Sequence, residues 1–303
     1  MSFCFICIIV SACSSSIEAS SRMLDFSPEQ WFQQYDEKIR VPYQDARLSI
    51  QTFQSGYTDF SPILIDRERQ ELLVGARNAL LRLKAPNLSI NEAVSWSPED
   101  AEIERCKMKG QKDNNQVLAC GTNAFSPSCT WRKSSNLASK LQGPFSGIGY
   151  VPYDPTHRNT YSMTSKGQLY TGVATDFRGN DPAILRILPT QAILRTATSN
   201  SRWLNEPTFV ASYELGNFIY IFFRELATEI EPCRMQRVYS RVARVCKNDI
   251  GGDVILKESW TTFSKARLNC STSGRLSPFY YDSLQAMYYD RHQNRFYGAF
   301  TTA

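Results

Sequence analysis

Acid-base, metal and phosphate chemistry each require particular residues at particular spacings, and this 303-residue chain carries few of them. Its two histidines, His157 and His292, stand in no hydrolase or metal-ligand spacing with a Ser, Cys or carboxylate. Both read as surface or turn histidines. Gly147-Ile-Gly149 lacks the third glycine and the following helix that a dinucleotide site needs, and no GxxxxGK[ST] phosphate loop exists. Asp176 and Glu206 are the candidate carboxylate pair of a carbohydrate-active enzyme, with Asp181 nearby. Yet Asp176-Phe-Arg-Gly-Asn-Asp-Pro182 has the composition of a turn between two strands. Arg224-Glu225 reads as a structural ion pair or a solvated strand end. No spacing here marks a catalytic, metal or cofactor site, and no metal or cofactor is expected.

Nine cysteines are the remaining reactive groups. Cys4, Cys7 and Cys13 fall within residues 1–20, where an apolar stretch at 3–12 precedes Ser14, Ser16 and Ala19. That arrangement reads as a secretory leader, so the redox-like Cys4-Phe-Ile-Cys7 spacing is discounted; a cytosolic N-terminus or a gene-model artefact is the alternative, because no Lys or Arg precedes the apolar core. The stretch is too short to span a bilayer, and no later segment is long enough. Cys106, Cys120, Cys129, Cys233, Cys246 and Cys270 remain. In an exported chain they form a disulfide framework with fifteen possible connectivities. Cys120-Gly-Thr-Asn-Ala-Phe-Ser-Pro-Ser-Cys129 is the one pair that local chemistry names: a bridge across its turn residues contributes roughly 2.5–3 kcal/mol. Asn87-Leu-Ser89 and Asn269-Cys-Ser271 are N-glycosylation sequons, at Asn87 and Asn269.

The elements that must position these groups are strands. With 42% hydrophobic residues the chain can bury a sizeable core, and a net charge of +5 without a basic run argues against nucleic acid as a partner. A lead-in at 21–56 shows a short helical pattern at 28–35, with Ser27 as N-cap. Runs rich in Val, Ile, Thr and aromatics at 208–212, 218–223, 239–246 and 260–268 form an antiparallel meander. The second of these lacks polar alternation, so it belongs in a sheet covered on both faces.

The same design recurs: an apolar strand, a turn, a variable loop and a returning strand. Its copies begin at Leu72, Val117, Leu169 and Ile219, spacings of 45, 52 and 50 residues, with a fifth copy at Arg295-Phe-Tyr-Gly-Ala-Phe300. A period near ~50 residues with about four strands per unit marks a β-propeller. A β-sandwich with uneven loops is the competing architecture, and the regular recurrence favours the propeller. Four to five blades leave the ring open.

Taken together these residues resemble the sema domain of the semaphorins, from about Tyr57 to the C-terminus. The resemblance rests on Leu73-Val-Gly-Ala-Arg-Asn-Ala, Cys106-Lys-Met-Lys-Gly, the Cys120 to Cys129 string, Pro152-Tyr-Asp-Pro155, residues 167–186, Trp203-Leu-Asn-Glu-Pro207, and residues 219–225, 242–252 and 260–271. Pro152-Tyr-Asp-Pro-Thr-His157 leans towards the class with thrombospondin repeats. The resemblance implies an all-β, seven-bladed propeller of which 57–303 is a part. It implies an extracellular, homodimeric ligand of plexin receptors in axon guidance and cell migration, and not an enzyme. Plexin contact around the third and fourth blades is implied too, which points to Ser199, Asn200, Ser201 and Arg202 and to Asp176, Arg178 and Asn180. Three departures from the family pattern stand out. A shortened segment between Lys112 and Gln116 removes the expected partner of Cys106 and predicts the loss of a strand from the first blade. Val151 replaces a cysteine. The chain ends just past the middle of such a domain, so Cys246 and Cys270 are expected to lack their partners, and Cys233 has no counterpart. The chain is read as the N-terminal part of a semaphorin or an incomplete gene model; the alternative is a short soluble interaction protein that does not signal.

Overall fold

The computed structural model describes residues 5–10, 51–58, 60, 63–77, 79–95, 106–112, 116–187, 193–229, 237–254, 256–272 and 278–302. The helical pattern expected at 28–35, and Cys4, Cys13 and Cys233, lie outside the described residues. Among those described there is no helix. After β1 (Phe5–Val10) come four four-stranded antiparallel sheets in chain order. Blade one holds β2 (Ile63–Asp66), β3 (Glu71–Ala76), β4 (Ala79–Lys84) and β5 (Ile90–Ser95). Blade two holds β6 (Cys106–Lys112), β7 (Gln116–Gly121), β8 (Ser128–Lys133) and β9 (Asn136–Ser146). Blade three holds β10 (Thr160–Met163), β11 (Leu169–Ala174), β12 (Pro182–Ile187) and β13 (Leu194–Arg195). Blade four holds β14 (Thr208–Leu215), β15 (Phe218–Leu226), β16 (Val238–Cys246) and β17 (Ser264–Arg267). A short pair, β18 (Ser271–Thr272) and β19 (Phe279–Tyr280), leads to a hairpin of β20 (Ser283–Asp290) and β21 (Arg295–Thr301), the fifth copy of the repeat.

The first strands of successive blades approach one another, β6 with β10, β10 with β14 and β14 with β20, which is the axial arrangement of a β-propeller. Successive blades then bury their facing sides against each other. Leu73 and Leu80 of blade one meet Val117, Ala119 and Leu137 of blade two; Leu118 and the Cys120–Cys129 pair meet Val151 and Leu169 of blade three. In β15, Ile219, Ile221 and Phe223 face blade three while Phe222 faces Leu284, Phe296 and Phe300 of the hairpin. This explains why its sequence shows no polar alternation. Phe53 and Tyr57 cover the outer face of blade one, so the end of the lead-in belongs to the packed domain.

Several expectations change against the packing. The short connection between Lys112 and Gln116 does not remove a strand: β6 is present and pairs with β7, so the shortening falls on the turn. Residues 260–268 form a strand only at β17; Trp260 lies in the preceding loop, where its ring enters the core between blades three and four. Arg224 and Glu225 do not pair with each other, because successive strand residues point to opposite faces. Glu225 meets Arg241 and Lys265, whereas Arg224 donates to the Leu284 carbonyl at 3.0 Å. Of the cysteines, Cys120–Cys129 is bridged, joining paired positions of β7 and β8. Cys246 carries no disulfide among the described residues. Cys270 was expected without a partner and is disulfide-bonded. Its side chain is buried in the core between blade four and the hairpin, where a sulfur bridge replaces a free thiol. The backbone of β1, within the expected leader, pairs antiparallel with β21 from Phe5↔Phe300 to Val10↔Arg295. A run rich in Ile and Val satisfies its backbone on an open strand edge.

Asp249 organises the long loop between β16 and β17. Its carboxylate, 4% exposed, accepts from the Gly251, Thr261 and Thr262 amides, each at 2.9 Å, and from both threonine hydroxyls. Burial works to raise its pKa, but these donors together outweigh it and hold the carboxyl below the ordinary 3.8. A carboxyl depressed on folding contributes stability above its unfolded pKa and loses it as pH falls through the folded value. Asp249→Asn is therefore expected to cost about 1–3 kcal/mol at neutral pH, since an amide nitrogen would face donors. The wild-type advantage should shrink in urea titrations taken below about pH 4. Equal urea midpoints at pH 7 would contradict this.

Candidate functional site

The loop joining β11 and β12 is built by its own polar side chains. Asp176 accepts from the backbone amides of Asp181 at 2.7 Å and Arg178 at 3.2 Å, and Gly179, at φ +77, turns the chain under it. Burial works against the Asp176 charge, but the amides of Asp181, Asn180 and Arg178 prevail and hold its carboxyl below 3.8. Asp176 is thus committed to its own loop and does not serve as a free catalytic carboxylate. Asp181 ties the loop to β13 through Arg195, with both oxygens within 2.8 Å of one guanidinium nitrogen. Phe177 and Arg178 consequently stand out at the apex, Phe177 60% exposed.

The second predicted segment, Ser199, Asn200, Ser201 and Arg202, is exposed throughout. Asn200 closes the turn: its side-chain oxygen accepts from the Arg202 amide at 3.1 Å and its carbonyl from the Trp203 amide at 2.9 Å. Trp203 then stacks on Phe263 at 4.8 Å, anchoring the exposed turn to blade four. The chain continues through Asn205, whose amide donates to Glu225 and whose side chain donates to the Leu226 carbonyl.

Asn180 and the continuation of the second segment meet across a cavity of about 570 Å³ between blades three and four. Gly179 and Asn180 line one side, Glu206 and Pro207 another. Arg178 and residues 199–202 stand outside its lining. His157, Arg158 and Arg224 also line it, and sequence reasoning assigned none of them to the site. His157 is half-buried rather than a plain surface residue: its imidazole packs on Gly179, where any Cβ would fall 2.4 Å from the ring. Beside the cavity, Phe177 forms an exposed aromatic group with Phe125 at 5.3 Å and Tyr153 at 6.1 Å. Phe125 is displayed by the Cys120–Cys129 loop, in which Asn123, Ala124 and Phe125 all take left-handed φ. An aromatic among turn residues was the available signal for Phe125 and Phe177; nothing local marks Arg224, which reaches the cavity only through blade packing. Asn87 and Asn269 are both exposed.

No family model matches the chain. Curated relatives do. The chain is 42% identical over 309 residues to Homo sapiens Semaphorin-5B, covering 97% of this chain and 26% of that protein. It is 47% identical over 257 residues to Homo sapiens Semaphorin-5A, covering 80% and 24%. The chain thus spans about a quarter of these relatives' length. Among solved structures, Drosophila Semaphorin 2a matches with a TM-score of 0.72 and 30% identity, over 84% of this chain and 47% of that one. A chain of Drosophila Plexin A in complex with Semaphorin 1b matches with a TM-score of 0.67 and 33% identity, over 80% and 49%. With that identity carried across blades of the same architecture, the carboxylate-enzyme reading falls away, and the chain belongs to the semaphorin family and forms part of a sema domain.

Proposed function

We propose that the chain is the receptor-contacting part of an extracellular semaphorin-type ligand, and that it engages a plexin ectodomain in the guidance of axons and migrating cells. The observation that supports this most is its likeness, at 33% identity, to a chain from a plexin–semaphorin complex. The loops at Asp176, Arg178 and Asn180 and at Ser199, Asn200, Ser201 and Arg202 are polar, and the first of them also exposes apolar Phe177, a mixture that suits a reversible protein interface. Residues 1–20 act in this reading as the leader for export, and Asn87 and Asn269 carry glycans.

Titrating the full chain against a panel of plexin ectodomains by surface plasmon resonance tests the reading. The doubly substituted Ser199→Asp/Arg202→Glu chain is expected to bind roughly tenfold or more weakly, with unchanged far-UV circular dichroism, because both residues are exposed and an introduced charge costs most at an interface. Failure of the unmodified chain to bind any plexin would overturn it.

A further inference from the structure

Arg224 is half-buried, yet among the described residues it donates only to neutral acceptors, the Leu284 carbonyl at 3.0 Å and the Ser283 hydroxyl at 3.4 Å. Its neighbour across the cavity is another cation. Burial, and then the charge of Arg158, press the Arg224 guanidinium below its ordinary value, without neutralising it. Arg158 is exposed and makes no hydrogen bond or ion pair among the described residues. The Nδ1 of His157 is buried without a hydrogen-bond partner in the same wall. Two guanidiniums on the wall of one cavity, with Pro207 and Phe209 as apolar floor, are an arrangement that one anion would complete.

We propose that this cavity is a subsite for a single carboxylate presented on an acidic segment of a protein partner. Guanidinium forks match the planar carboxylate. Glu206 on the cavity wall, and a surface without a basic run, exclude a polyanion such as a sulfated polysaccharide as the fitting occupant. The subsite deepens the receptor reading above and rests on it for the identity of the partner, not for the chemistry.

The test uses the full chain and a capped Gly-Gly-Glu-Gly-Gly peptide, with its Gln counterpart and a heparin-derived hexasaccharide as probes, followed by NMR titration. The Glu peptide should saturate near roughly 1 mM and the Gln peptide at least about tenfold higher. Arg158→Gln, at an exposed position that folding does not require, should weaken the Glu peptide by about tenfold, and Arg158→Lys by less. Arg224→Gln should do the same if its circular dichroism is unchanged. Equal binding of the two peptides, indifference to Arg158→Gln, or displacement of the Glu peptide by the hexasaccharide at lower concentration would overturn the proposal. A plexin ectodomain arm separates the two readings. Plexin binding that Arg158→Gln leaves unchanged sinks the subsite and keeps the receptor; peptide discrimination without plexin binding keeps the subsite and sinks the receptor.

Discussion

Glu225→Gln is expected to destabilise the chain by about 3–5 kcal/mol, seen as a lower urea midpoint with an unchanged slope. Glu225 is 1% exposed on β15, one of the two inner strands of blade four. Arg241 Nε lies 2.6 Å from its Oε1, out of line for a hydrogen bond, so that contact is ionic; Lys265 reaches the same oxygen. The other oxygen accepts from the Asn205 amide at 3.0 Å. An amide in its place leaves two cations in a buried setting with one carboxylate, Glu229, which is itself half-exposed and grips Arg241 from outside. Burial already lowers the Lys265 pKa, against the pull of Glu225, so removing that carboxylate leaves the amine in desolvated surroundings. Breaking a buried pair costs more than the pair contributes, because the desolvation remains. Replacing both partners, Glu225→Gln with Arg241→Met, should therefore recover part of the loss. A single-variant cost below about 1 kcal/mol would show that water screens the cluster. Since Asn205 follows the exposed turn at Ser199 to Arg202, the variant should also loosen that turn, measurable as faster amide exchange at Trp203 and Leu204.

The second large effect is at Trp260. Its ring is 2% exposed, stacks on Tyr170 of blade three at 6.1 Å and lies beneath the Arg186 guanidinium at 5.5 Å. Its Nε1 donates to the Ile184 carbonyl at 2.8 Å. Trp260→Ala should cost about 3–5 kcal/mol through the cavity it opens between blades three and four. Trp260→Phe isolates the hydrogen bond, and there the cost should be only about 0.5–1.5 kcal/mol, because Ile184 still accepts from the Thr196 amide at 3.1 Å. If Phe proved as damaging as Ala in urea unfolding, the hydrogen bond and not the packing would hold the blades together.

These two residues also show where sequence reading stops. The two central strands of each blade were legible because β-branched and aromatic runs broken by Gly, Asn and Asp state a local backbone preference, and the repeat of that pattern stated the propeller. The Cys120–Cys129 bridge was legible because both cysteines flank one turn. Trp260 looked like the start of a strand, having the right residue type, and only the gap between two blades placed it in a loop instead. Glu225 looked paired with Arg224, its sequence neighbour, although alternation along the strand separates them and the partners lie 16 and 40 residues away at Arg241 and Lys265. Cys270 looked unpartnered because the family pattern sets its usual partner beyond residue 303, yet it is disulfide-bonded.

The sequence by itself determined what depends on short range: strand positions, turns, the all-β class, the repeat and the identity of the exposed polar loops. Tertiary structure alone decided what depends on bringing distant strands together: the interblade cores, the buried ion cluster around Glu225, and the cavity where His157, Arg158, Glu206 and Arg224 converge. The physical reason is that backbone preference is set by each residue and its neighbours, whereas burial and charge pairing are set by which strand faces meet across the propeller.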